Sequence, residues 1–68
     1  MSEEKIASEV KSITVAIKTA LIQRDMKQVE LATMLDVAPQ VLNRAIHGDM
    51  SPQSVRLRRK IYQILGIE

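Results

Sequence analysis

The residues best suited to specific chemistry in this chain are the polar side chains of the segment 39–47. Gln40 and Arg44 are four residues apart, so they share one face if the segment is helical. A glutamine amide can pair with N6 and N7 of adenine, and an arginine guanidinium can pair with O6 and N7 of guanine. An exposed row of such residues on a helix is able to touch the edges of base pairs.

The elements that would position this surface are two short helices joined by a tight turn, within residues 28–48. Apolar residues recur in both at the three- and four-residue steps of a helix. Val37 lies in the connector, where a buried apolar residue would pin one helix across the other. The two apolar faces consist of Leu31, Ala32 and Leu35 in the first helix and Leu42, Ala45 and Ile46 in the second.

The rest of the chain also predicts helices. An uninterrupted apolar stripe predicts one long helix, or two collinear ones, over residues 3–24. Pro39 suits the first position of a helix, and Gly48 suits its end. Ser51 and Pro52 predict the start of a last helix that runs to Gly66. The fold class expected is all-α, a compact bundle of four to five short helices.

The composition argues against an enzyme. Sixty-eight residues make one small domain, and the absence of cysteine excludes disulfides and thiolate metal sites. The single histidine, His47, has no carboxylate at a helpful spacing, and no glycine-rich loop is present. His47 is instead expected to cap the last carbonyls of its helix. We expect no catalysis, no cofactor and no metal.

The net charge of +2 is distributed unevenly. Residues 1–12 carry three glutamates against two lysines, whereas residues 53–68 carry four cations against one glutamate. A local basic cluster favours a polyanionic partner, although a solvated helix face is the other explanation. The near absence of aromatic residues disfavours recognition of single strands by base stacking. The cations of the cluster are Arg56, Arg58, Arg59 and Lys60.

No targeting segment is evident in the sequence. The first residues are polar and acidic, and no apolar run approaches the roughly 20 residues that span a bilayer. We therefore expect a cytoplasmic protein that does not enter a membrane.

The order and gaps of these residues resemble the lambda-repressor-like helix-turn-helix family, of the Cro and repressor type. The resemblance covers roughly residues 13 to 67. It implies a helix-turn-helix domain over residues 13–68, preceded by a helical extension over residues 1–12. The matching residues are Gln28, Glu30, Leu31, Ala32, Val37, Leu42, Gly48, Ser51 and Pro52.

The resemblance also implies which residues contact DNA, because the start of the third helix of this family enters the major groove. The positions implied to contact bases are Pro39, Gln40, Val41 and Arg44, in a helix at about residues 39–47. The positions implied to contact the DNA backbone are Gln28, Asn43, Ser51, Ser54 and Arg56.

The chain departs from the family pattern at several positions. Lys27 stands at a helix N-cap but cannot accept the amide hydrogen bonds of a cap, so Glu30 is expected to compensate through the helix dipole. Asp36 replaces the usual glycine of the turn, which predicts some backbone strain. Leu21 and Ile46 replace an arginine–glutamate pair, an exchange that costs little stability.

These implications predict a sequence-specific transcriptional regulator of the phage or mobile-element type that binds a double-stranded operator without a small-molecule ligand. The alternative is a protein-interaction module or an antitoxin with the same fold, in which the acidic N-terminal extension serves as the docking or oligomerising helix.

A weak homodimer is also predicted from apolar residues at the two ends of the chain. Ile6 and Val10 continue the apolar stripe of the first helix, and Ile67 follows Gly66. The dimer is predicted to form at the C-terminal end of the last helix with Ile67, or through the N-terminal helix. In the rival arrangement, the N-terminal strip packs on the core of its own copy.

Overall fold

The computed structural model describes the backbone of residues 3–67 and the side chains of residues 10–67. Over residues 3–67 the chain forms four α-helices and no strand: α1 (Glu3–Gln23), α2 (Gln28–Leu35), α3 (Pro39–Ile46) and α4 (Pro52–Leu65). The all-α prediction is confirmed. α1 is a single helix of 21 residues, so the predicted boundary at residue 12 lies inside it.

The four helices end in the same way, which fixes the turns between them. Each helix is followed within two residues by one with a left-handed backbone. These residues are Asp25, Asp36, Gly48 and Gly66. The next N–H then donates to a carbonyl five residues earlier, as in a Schellman motif. These hydrogen bonds run from Met26 to Leu21, Val37 to Ala32, Asp49 to Arg44 and Ile67 to Tyr62.

The aspartate predicted to replace a turn glycine does adopt the glycine-like conformation. Asp36 has φ 56° and ψ 46°. A left-handed backbone costs a residue with a Cβ about 1 kcal/mol or more. Two hydrogen bonds of the turn, from Asp36 N–H to Thr33 and from Val37 N–H to Ala32, help to offset that cost.

The helix starts follow the sequence closely. Pro39 and Pro52 are the first residues of α3 and α4, and the Ser51 hydroxyl accepts the Ser54 N–H at 3.3 Å. At α2, the Glu30 carboxylate accepts the backbone N–H of Lys27 at 3.1 Å. Glu30 therefore compensates for the missing cap by a direct hydrogen bond.

One hydrophobic core joins the helices. The predicted apolar faces of α2 and α3 are confirmed, because Leu31, Ala32, Leu42, Ala45 and Ile46 are all buried. Leu35 and Val37 are half-buried and pack against this core. Each fully buried side chain contributes about 1.5–3 kcal/mol. The five largest are Ile17, Leu31, Leu42, Ile46 and Ile61, so every helix supplies at least one.

α1 is held against the end of α3. Val10 is half-buried, and a Cβ added to Gly48 would lie only 2.7 Å from Val10 Cγ1. The Thr14 hydroxyl donates to the Ile46 carbonyl at 2.8 Å. At the other end of α1, Arg24 Nη2 donates to the carbonyl of Leu65 at 3.0 Å. The first helix therefore braces both α3 and α4.

The structure describes the packing of two of the three apolar residues that were predicted to form a dimer face. Val10 packs on its own copy, and Ile67 is half-buried against the core. The side chain of Ile6 lies outside the described residues.

Candidate nucleic-acid interface

The outer face of α3 is a polar row backed by a buried apolar row. The exposed polar row consists of Gln40, Asn43, Arg44 and His47. The buried row, on the opposite side of the helix, consists of Leu42, Ala45 and Ile46. This division follows from the helical spacing, because residues three and four apart share a face. The structure therefore brings Gln40 and Arg44 to one exposed surface, as the sequence predicts.

The other two predicted base-contacting residues lie beside this row. Pro39 is exposed at the first position of α3. Val41 is half-buried, packs against the core and lines a groove with Val37 and Leu57. Its side chain therefore has less freedom to reach a partner than Gln40 or Arg44.

The start of α2 is tied to the outer part of α3. Gln28 Nε2 donates to Asn43 Oδ1 at 3.2 Å, across 15 residues of sequence. The structure thus brings together two residues predicted to contact the DNA backbone. Because the amide of Gln28 keeps a second N–H donor and that of Asn43 keeps its own donors, the pair can still bind an anion.

The two serines at the start of α4 hydrogen-bond to a carboxylate of this chain. Both Ser51 Oγ and Ser54 Oγ donate to Asp49 Oδ2 at 2.6 Å. Ser54 is also buried, with only 3% of its surface exposed. A hydroxyl that already donates to Asp49 is not free to donate to a phosphate, so the structure does not favour the predicted backbone contact by Ser54. Ser51 is exposed but would have to leave Asp49 to bind an anion.

Asp49 is the residue of this surface that sequence reasoning missed. The hydrogen bonds from Ser51 and Ser54 lower the pKa of its carboxyl group, and the charge of Arg44 lowers it further. The carboxylate therefore stays ionised beside the first turn of α4. It would repel a phosphate there, and it also neutralises part of the charge of Arg44. The indication in the sequence was an acidic residue just before the Ser-Pro helix start.

Arg58 is buried although it belongs to the basic cluster. It is 6% exposed, and its Nη1 donates to the carbonyls of Ala45 at 3.0 Å and Asp49 at 2.6 Å. Its Nη2 contacts the sulfur of Met50 at 3.5 Å. The guanidinium thus joins α4 to the end of α3. Its spacing from the buried residues Ile61 and Leu65 could have indicated this inward position.

At the end of α3, His47 contributes its backbone N–H, which donates to the carbonyl of Asn43, and side chains of other helices bind the next carbonyls. Thr14 donates to the carbonyl of Ile46, and Arg58 donates to that of Ala45. His47 is exposed at the C-cap position, next to the row of Gln40 and Arg44. Its side chain therefore extends the polar face.

Arg56, the last predicted backbone contact, is exposed on α4. It lines an open groove with a volume of about 180 Å³. The groove is bounded by α3, by α4 and by the turn that connects α2 to α3. The groove does not include Gln40 or Arg44. It is lined by Val37, Val41, Gln53, Arg56, Leu57 and Lys60.

Comparison with known proteins finds no matching family model, no matching curated protein and no matching solved structure. In the part of the chain that the structure describes, no helix has both the length and the apolar character needed to cross a bilayer.

Proposed function

We propose that the chain is a sequence-specific double-stranded DNA-binding protein in which α2, the turn and α3 act as a helix-turn-helix. The observation that carries the proposal is the polar face of α3, where Gln40 and Arg44 are exposed together above a fully buried apolar face. The order of residues 28–52, which resembles the lambda-repressor-like family, supports the same function.

In the proposed complex α3 lies in the major groove and Gln40 and Arg44 contact base edges. A glutamine suits adenine and an arginine suits guanine. The hydrogen-bonded pair of Gln28 and Asn43 and the exposed Arg56 contact phosphates and set the register of α3.

The buried contacts at the end of α3 give this surface a fixed orientation. Thr14 from α1 and Arg58 from α4 both donate to its last carbonyls. An interface held by rigid elements loses less entropy on binding than a mobile one. Two copies on a two-fold operator would place their α3 helices about 34 Å apart, one turn of DNA. We propose that such a regulator acts through operator occupancy, as a repressor or competitor.

The first experiment is a selection of bound sequences from a random duplex pool, followed by mobility shifts with variants. Gln40→Ala and Arg44→Ala should each weaken binding to the selected site by about 1–3 kcal/mol and affect random DNA much less. Lys18→Ala removes a charge from an exposed position of α1 and serves as the control.

The results would separate the proposal from its alternative. Equal losses on selected and random DNA would mean that the two residues contact only the backbone. A pool that yields no consensus, together with no salt-dependent binding to duplex, would contradict DNA binding and favour the protein-interaction module.

A further inference from the structure

The groove that is bounded by α3, by α4 and by the turn between α2 and α3 has an apolar floor and a basic rim. Val37, Val41 and Leu57 form the apolar part, and Arg56 and Lys60 are exposed one helical turn apart on α4. Such a lining fits a partner that offers an apolar side chain with carboxylates beside it.

The same groove on a second copy of the chain cannot pack against this one. Two-fold pairing of identical surfaces would bring the Arg56 and Lys60 side chains of the two copies together. Like charges at short range repel each other. The occupant must therefore be a different, acidic surface.

The sequence itself has residues of this kind at the start of α1. Residues 3–9 contain three glutamates and one lysine, a net charge of −2. Ile6 lies three residues after Glu3 and three before Glu9, so these positions share one face of the helix. The segment adds about 10 Å of helix before Val10, which is the first residue whose packing the structure describes.

We propose that the groove binds the first turns of α1 from a second copy, with Ile6 on the apolar floor and the glutamates beside Arg56 and Lys60. In this dimer, α1 packs at Val10 against Gly48 of its own copy while its first turns enter the groove of the other copy. If each copy inserts its segment into the other, the result is a closed two-fold dimer with two identical contacts. This contact occupies Arg56, so it competes with the phosphate contact proposed for that residue.

The test is sedimentation equilibrium of the full chain without DNA, at low salt and over a range of concentrations. The wild type should dimerise, and added salt should weaken the dimer because exposed charges are screened. Lys60→Glu and Glu9→Lys should each weaken dimerisation about tenfold or more, and the double variant should restore it. Lys18→Glu makes the same charge change at an exposed position of α1 outside the groove and should leave the dimer intact. Circular dichroism of each variant checks that it remains helical.

Three results would overturn the proposal: a wild type that stays monomeric, a dimer that persists in Lys60→Glu, or a double variant that fails to recover. If Lys60→Glu instead weakens binding to duplex DNA and leaves sedimentation unchanged, the basic rim belongs to a phosphate-binding surface.

Discussion

At the scale of single residues, the described surface is shaped by charges that pair within the chain. The Asp49 carboxylate accepts hydrogen bonds from two serine hydroxyls, and the Arg58 guanidinium donates to two backbone carbonyls. The Asp49 carboxylate faces the start of α4, and the Arg58 guanidinium faces the end of α3 and the loop that follows it. The exposed charges that are left for a partner, such as Arg44 and Arg56, are therefore fewer than the sequence count implies.

Asp49 predicts a specific dependence of stability on acid pH. Its folded-state pKa lies below the usual 3.8, because Ser51 and Ser54 donate to its ionised form. Its stabilising contribution is therefore fully present above the unfolded-state pKa and is lost as pH falls through the lower folded-state value. Urea unfolding of the wild type and Asp49→Asn should show a difference in unfolding free energy that shrinks below about pH 4.

Asp25→Asn is the control for the general effect of removing a carboxylate, since Asp25 also lies at a helix end, where its side chain is exposed. A difference between wild type and Asp49→Asn that stays constant down to the lowest pH would contradict the role assigned to the Asp49 carboxylate.

At the scale of elements, three features position the C-terminal end of α3. The left-handed Gly48 turns the chain, Thr14 reaches it from α1, and Arg58 reaches it from α4. Since α3 has only eight residues, its orientation depends on these contacts more than on its own helical stability.

Arg58 is expected to stabilise the junction of α3 and α4. Replacing it with methionine keeps much of the volume but leaves the carbonyls of Ala45 and Asp49 without this donor. We expect Arg58→Met to lower the unfolding free energy by about 1–3 kcal/mol, and Arg58→Lys to lose less. Urea unfolding measures both. Equal stability of Arg58→Met and wild type would show that the buried guanidinium costs as much in desolvation as its hydrogen bonds return.

Gly48 is required for the contact between α1 and α3. Gly48→Ala places a Cβ at φ +89°, 2.7 Å from Val10 Cγ1. We expect about 1 kcal/mol from the left-handed backbone and about 1–3 kcal/mol more from the overlap. Gly66→Ala is the matched control, because φ is +68° and the nearest atom, Arg24 Nη2, is 3.5 Å away.

The extra cost of Gly48→Ala should shrink in a Val10→Ala background, where Cγ1 and Cγ2 are absent and only Cβ, 3.3 Å away, remains. Thermal or urea unfolding of the single and double variants measures this coupling. If Gly48→Ala and Gly66→Ala cost the same in the wild-type background, α1 does not press on Gly48 as the structure places it.

At the scale of the whole molecule, stability is limited by size. The chain has 68 residues and no cysteine, and among residues 10–67 the largest fully buried side chains number five. A domain of this size has only a few kcal/mol of net stability. The substitutions at Arg58 and Gly48 therefore remove a large share of it, and binding assays of such variants belong at low temperature, where the folded fraction can be verified.

The electrostatic part of the proposed DNA binding is also a whole-molecule property. Arg56→Ala should weaken binding to every duplex and make the slope of log affinity against log salt shallower by about one unit. When one phosphate contact is lost, binding releases about one counterion fewer from the DNA, and the salt dependence falls accordingly. Mobility shifts at several salt concentrations measure the slope. Lys18→Ala again controls for net charge, and an unchanged slope in Arg56→Ala would place Arg56 away from the DNA.

The sequence by itself determined the helices and their faces. Apolar spacing predicted the buried residues of α2 and α3, and the prolines, glycines and Ser51 predicted where helices start and stop. These features are local, because they depend on residues within one or two helical turns. For the same reason the exposed positions of Gln40 and Arg44 could be predicted.

Only the tertiary structure decided which polar groups are already used within the chain. Arg58 meets a carbonyl 13 residues away, Thr14 meets one 32 residues away, and Gln28 meets Asn43 across 15 residues. Ser54 likewise appeared free in the sequence, yet its hydroxyl is buried against Asp49. Helical periodicity gives the face of a residue, whereas its partner depends on how the helices cross, and that is set by the packing of the whole core.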